Sequence, residues 1–128
     1  MSDETYAYFF IEGFECEADE ISASLGLEPT DAWMKGEVSG KGVIRKNSCW
    51  LLYSQLPKSE LFLDKHIEAL VEILLPREKN ILKLADKYDC GINCVGKFSP
   101  SSGIHLSKEL LAKVTILTVP LDFDLYCK

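Results

Sequence analysis

The chain has 128 residues and a net charge of −6, with 47% hydrophobic and 27% charged residues. That is the size of one domain with a core of its own, and the composition excludes a disordered chain. The acidity argues against a broad nucleic-acid or anionic-membrane surface, which needs a basic face, and it suits a basic protein partner.

In chain order, the acidic start Met1-Ser2-Asp3-Glu4 lacks the basic residues and apolar core that open a secretory signal, so a cytoplasmic protein is expected. Tyr6 to Ile11 reads as a buried strand that Gly13 breaks. Glu17, Asp19 and Glu20 then supply acid where a helix begins, and Ala18, Ile21 and Leu25 form its stripe. Gly26 fits a left-handed cap, and Pro29 prevents the helix from resuming. The segment from Trp33 to Lys46, with Gly36, Gly40 and Gly42, is the most loop-like part of the chain. Val43-Ile44 and Ser48 to Ser54 read as strand material. Trp50, Leu52 and Ser54 fall on one face, Leu51 and Tyr53 on the other, and both faces are expected to be covered.

Pro57 and Ser59 introduce the clearest helix, with Leu63, Ile67, Leu70, Val71 and Leu74 as its apolar stripe. Its longest near-apolar run, Ile67 to Leu75, is interrupted by Glu68 and Glu72 and falls short of the roughly 20 apolar residues of a membrane span. Pro76 fits the first position of a following helix with Ile81, Leu84, Ala85 and Tyr88 on its stripe. Gly91 to Phe98 is a strand, and 99–103 a Ser/Pro/Gly loop. Ser107 is placed to cap a last short helix, with Leu106 and Leu111 as a staple around it. Ile116 to Val119 begins the final strand material, Pro120 marks a bend, and Leu121 to Tyr126 alternates strictly. These elements predict a single α+β domain over 1–128, a mixed or mainly antiparallel sheet of about four to five strands with helices on one face. A strand–short helix–strand unit at each end suggests a diverged repeat.

No phosphate loop, dinucleotide motif or Ser-His-Asp signature is present, and no catalytic residue, cofactor or metal site is assigned. The five cysteines are odd in number and far apart, which suits free buried thiols in a reducing compartment. Cys90 and Cys94 lie on one strand face roughly 13 Å apart, too far to share a metal. Lys35, Lys41, Arg45 and Lys46 against the single acid Glu37 make a locally basic patch between Trp33 and Trp50. It suits a phosphate, a carboxylate or an acidic protein surface, or else is a solvated loop between two core tryptophans. His105 is the better placed histidine for a polar contact. Asp122, Asp124 and Tyr126 share one strand face, where two carboxylates either raise one another's pKa or hold a cation, or else line the solvated face of an edge strand and keep it from pairing with other chains.

Taken together, Ile21-x-x-x-Leu25-Gly26-Leu27-x-Pro29-Thr30, Lys35-Gly36-Glu37, Trp50-x-x-x-Ser54, His66-Ile67 and Asp124-Leu125-Tyr126 resemble a small bacterial family known only as domain of unknown function 4279. The resemblance implies a single cytoplasmic α+β domain and carries no catalytic signature. The expected function is a non-enzymatic protein-interaction module, by analogy an immunity-type protein. The alternative is a small-ligand site built from Trp33, Lys35, Glu37, His105, Asp124 and Tyr126, which must then converge in one cleft. Arg45 and Trp50 complete the candidate binding residues. Nucleic-acid binding by the 35–46 loop ranks last.

Overall fold

Odd and even positions of the first strand have different fates. In the computed structural model, which describes residues 3–98 and 103–127, β1 (Glu4–Glu12) buries Thr5, Ala7, Phe9 and Ile11 and leaves the even positions half-buried. The cause is the sheet order, β2-β3-β1-β4-β5, which puts β1 at the centre with helices on one side. The neighbours are β2 (Asp31–Trp33), β3 (Cys49–Tyr53), β4 (Asp89–Phe98) and β5 (Leu121–Cys127). All pairings are antiparallel except that of β4 with β5. This is the expected α+β architecture.

Four helices, α1 (Ala18–Leu25), α2 (Leu63–Leu74), α3 (Glu78–Lys87) and α4 (Lys108–Leu117), contribute their buried residues to one core with the odd face of β1. The α2 stripe is buried as its spacing requires. Pro76, expected at the first position of the next helix, lies instead in a 3₁₀ turn, Leu75–Arg77, that joins α2 to α3, which begins at Glu78. None of these helices is long and apolar enough to cross a membrane.

The first helix ends as its sequence dictates. Gly26 is left-handed (φ 67°), and its N–H and that of Leu27 both donate to the Ser22 carbonyl, at 2.8 and 3.2 Å. Two carbonyls of its last turn are satisfied from α3's end: Arg77 Nε donates to Leu25 O at 2.8 Å and Asn80 Nδ2 to Ser24 O at 2.7 Å. Thr30 then clamps the chain onto β3, donating its N–H to Leu51 O at 2.7 Å and accepting from Tyr53 N at 3.0 Å.

The structure departs from the sequence reading in several places. The helix expected from Ser59 begins only at Leu63, because the backbone of 58–61 is committed elsewhere. Thr5 N and Oγ1 donate to the carbonyls of Lys58 (3.0 Å) and Leu61 (3.2 Å), and His66 holds Glu60 O at 2.7 Å. Ile116 and Leu117, read as strand, complete α4 because Leu110, Val114 and Leu117 face the core at helical spacing. Thr118, not glycine, takes the left-handed cap (φ 56°). The short strand β2 has no counterpart in the sequence reading and reaches the loop-like stretch only at Trp33, while of Val43-Ile44, read as strand material, Ile44 makes one isolated bridge, to Val38. The terminal strand–helix–strand units differ in topology: β5 returns parallel to β4, whereas β3, not β2, pairs with β1 and does so antiparallel. Of the loop expected at 99–103, residues 99–102 lie outside the described residues.

Every buried side-chain nitrogen and oxygen among the described residues has a hydrogen-bond partner. His66 is the most constrained. Its Nε2 faces the Glu60 carbonyl, which only accepts, so Nε2 carries the proton and Nδ1 accepts from the Ser54 hydroxyl at 2.6 Å. Replacing His66 with Ala empties a fully buried site and strands both partners. Urea denaturation is expected to show a loss of about 3 kcal/mol with an unchanged m-value.

Candidate functional site

Between β2 and β3 the chain makes a small hairpin that folds back over the end of the sheet. Gly36 N donates to Arg45 O at 2.9 Å, Arg45 N to Glu37 O at 2.8 Å, and Ser39 N to Val43 O at 2.8 Å. The Ser39 hydroxyl accepts from the N–H groups of Lys41 and Val43, and Gly42 (φ 81°) permits the turn. The Glu37 carboxylate accepts from the Met34 N–H and closes the hairpin's base. This return lays the Arg45 guanidinium on the Trp33 ring, 3.8 Å from its centroid.

Trp33, Cys49, Glu12 and Asp89 are register partners across four strands and form one rung on the face away from the helices. With strands about 5 Å apart, Trp33 and Glu12 stand roughly 10 Å apart with Cys49 between them. Above Cys49 is a hollow of about 280 Å³, its walls formed by Trp33 and Arg45, by Val43 and Ile44 of the hairpin, and by Glu12. Among the described residues the Arg45 guanidinium has no hydrogen bond or ion pair. Glu12 lines the same hollow and forms no ion pair with it. Burial, then the Asp89 carboxylate opposite, raises the Glu12 carboxyl above its usual range. Burial, then Glu12, pushes the Cys49 thiol up to about 12, so it is a floor and not a nucleophile.

Along the rest of this face runs an aromatic layer. Tyr53 stacks on Tyr8 at 5.2 Å and on Tyr6 at 5.8 Å, and Phe10 meets Tyr8 edge-on at 6.5 Å. Lys58 Nζ lies 4.8 Å from the Tyr6 ring centroid, and Asn93 Nδ2 donates to the Tyr8 hydroxyl at 2.7 Å. Gly91 makes room for the layer: a methyl there would meet Phe10 ring carbons at 3.0 Å. Burial raises the Tyr8 and Tyr53 hydroxyls above their ordinary range. Among the described residues the helices pack on the other face, so of the two faces of β3 expected to be covered this one carries only the aromatic rings themselves.

The candidate residues named from the sequence do not converge. Trp33 and Arg45 meet, with Lys35 and Glu37 exposed in the hairpin beside them. Trp50 is fully buried on the opposite side of the sheet, where it packs with Phe9 and donates Nε1–H to Ser22 Oγ at 3.0 Å, so its part is in the core. Asp124 and Tyr126 lie on β5, the far edge strand, and Tyr126 pairs with Lys97 opposite Glu4, at the end of β1 away from Glu12. The Tyr126 hydroxyl donates to Asp124 at 3.2 Å, and that carboxylate raises its pKa. His105 is exposed in the approach to α4. With β2 and β5 at opposite edges of the sheet, the 33–37 loop and the C-terminal strand do not meet in one cleft among the described residues. Glu12, Asp89 and the layer of Tyr6, Tyr8, Phe10 and Tyr53 escaped the sequence reading. Their signal was present in Tyr6-x-Tyr8-x-Phe10-x-Glu12, an amphiphilic alternation inside an apolar run.

Ser54 and His66 form a hydroxyl–imidazole pair, and both side chains are buried, His66 on α2 and Ser54 just after β3. Among the described residues no three His, Cys, Asp or Glu side chains are grouped to hold a metal. Cys90 and Cys94 face the core, and burial pushes each thiol up to about 12.

The fold and this face define a small α+β domain with an aromatic sheet surface left bare by its helices. The chain belongs to the family described as Domain of unknown function (DUF4279), whose model matches residues 3–128. No curated protein and no solved structure matches it.

Two outcomes test the electrostatics. Because the Glu12 carboxyl is raised in the folded state, its charge costs stability at neutral pH, and the cost vanishes as pH falls and the group protonates. Glu12→Gln should therefore raise the Tm at pH 7 by about 1–3 °C and lose that advantage near pH 4, by differential scanning calorimetry. With an aromatic disulfide reagent, the half-buried Cys16 should react in the native protein, while Cys49, Cys90 and Cys94 react only on unfolding, as read by mass spectrometry.

Proposed function

We propose that the protein is a non-enzymatic interaction module that receives a basic protein partner on the bare face of its sheet. The observation that carries this reading is the Tyr6, Tyr8, Phe10 and Tyr53 layer, a stacked aromatic surface over which none of the described helices packs. Aromatic side chains of this kind anchor interfaces because they bury much area at little entropic cost.

The charge around the layer selects the partner. Glu4, Glu12, Asp31, Asp89, Asp122 and Asp124 share this face by register, against Lys97, Lys58 and Arg45. One of those acids is neutralised, Glu4 by Lys97 at 3.8 Å. An acidic rim around an aromatic centre speeds encounter with a basic surface and repels acidic ones. An immunity-type role, in which a small acidic protein binds and blocks a basic toxin, is the specific form of this reading.

The test is capture from native lysate of the source cells on immobilised wild-type protein and on a Tyr8→Ser/Tyr53→Ser variant shown by circular dichroism to be folded. A basic partner should be retained stoichiometrically by the first, lost from the second, and released by salt. Equal retention by both would place the interface elsewhere and refute the reading.

A further inference from the structure

The hollow at the Trp33–Glu12 rung lies beyond the aromatic layer and is not explained by a partner docked there. We propose that it is a binding site for a free amino acid with an aliphatic side chain, the carboxylate on Arg45 and the ammonium on Glu12.

Arg45 is presented for binding. The ring of Trp33 holds its guanidinium flat at 3.8 Å, and its N–H donors are unused within the described structure. A planar, oriented guanidinium is matched by a carboxylate in bidentate contact. Across the hollow stands Glu12, an unpaired carboxylate, with Asp89 next on the rung reinforcing the negative end. Opposite charges line one small space without touching, and a ligand that carries both signs can contact both.

That geometry discriminates among ligands. A simple anion would meet Arg45 but be opposed by Glu12 and Asp89, and a simple cation would be opposed by Arg45 and Lys46. A zwitterion answers both ends. Val43 and Ile44, 60% and 65% exposed on the hairpin, offer an apolar wall with no partner from the fold, which suits an aliphatic side chain. The volume of 280 Å³ is at the small end of ligand pockets, the scale of a single amino acid and not of a peptide.

The probe is L-leucine, titrated into the full chain at pH 7 and followed by two-dimensional amide NMR. Saturable shifts are expected at the Trp33 indole and at the amides of Glu12, Arg45 and Cys49. N-acetyl-leucine and leucinamide, each lacking one charge, should bind at least about tenfold more weakly, and so should leucine to Arg45→Gln or Glu12→Gln. Glu12→Gln removes a like-charge contact with Asp89 and should fold at least as well as the wild type, so its loss of binding is not a loss of structure. No saturable shift at millimolar leucine overturns the proposal. So does N-acetyl-leucine binding as well as leucine, which would reduce the site to an anion contact, or glycyl-leucine binding as well, which would make it a site for chain ends. These results leave partner capture by the tyrosine layer untouched, and so distinguish the two readings.

Discussion

A sheet whose helices all lie on one side must cover its other side with its own side chains. This constraint shapes the molecule. The central strand β1 supplies an aliphatic and aromatic row to the core and a second aromatic row to the bare face. Each stacked or edge-on pair in that second row contributes about 0.5–1.5 kcal/mol beyond the area it buries. The lysine and arginine laid on Tyr6 and Trp33, and the glycine that yields to Phe10, serve the same end. The surface is thus organised enough to persist in water and apolar enough to be worth covering.

The connections are fastened to this sheet by polar side chains, not by a larger core. Ser48 holds the Phe14 carbonyl at 2.7 Å, Trp50 reaches Ser22, Thr5 reaches the 58–61 segment, and Ser54 and His66 tie β3 to α2. A buried hydrogen bond adds only about 1 kcal/mol when made but costs more when one partner is removed. Such links therefore specify where each connection must run. The Leu25-to-Thr30 turn belongs to the same system, since Thr30 bonds β3 at two points. This stretch, which carries part of the family resemblance, is a fastening, and the candidate site residues begin after it, at Trp33.

Local signals were legible where one residue type has one use. Gly26 after the Leu25 turn, Pro76 between two stripes and Ser107 before α4 each behave as their chemistry demands. The apolar stripe of α2 named its own buried face. What was illegible depended on partners far along the chain. Nothing near Lys58 or Leu61 reveals that Thr5 takes their carbonyls and delays the helix. Ile116 and Leu117 read as strand until Leu117 aligns with Leu110 and Val114 at helical spacing. The site was half legible for the same reason. Trp33 and Arg45 lie within one hairpin, but Glu12 joins them only through the register of β1 with β3, and the strand order that parts them from Tyr126 is set by long-range pairing.

The two tryptophans end on opposite sides of the same sheet, although Ala32, the neighbour of Trp33, is the register partner of Trp50. Trp50 is sealed in the core with its indole N–H bonded, and Trp33 is half-buried beneath a guanidinium at the hollow. The protein therefore carries two native fluorophores in unlike surroundings, one in the core and the other at the surface. With Trp33 or Trp50 replaced by Phe in turn, the remaining indole reports on the core or the surface alone, without any label.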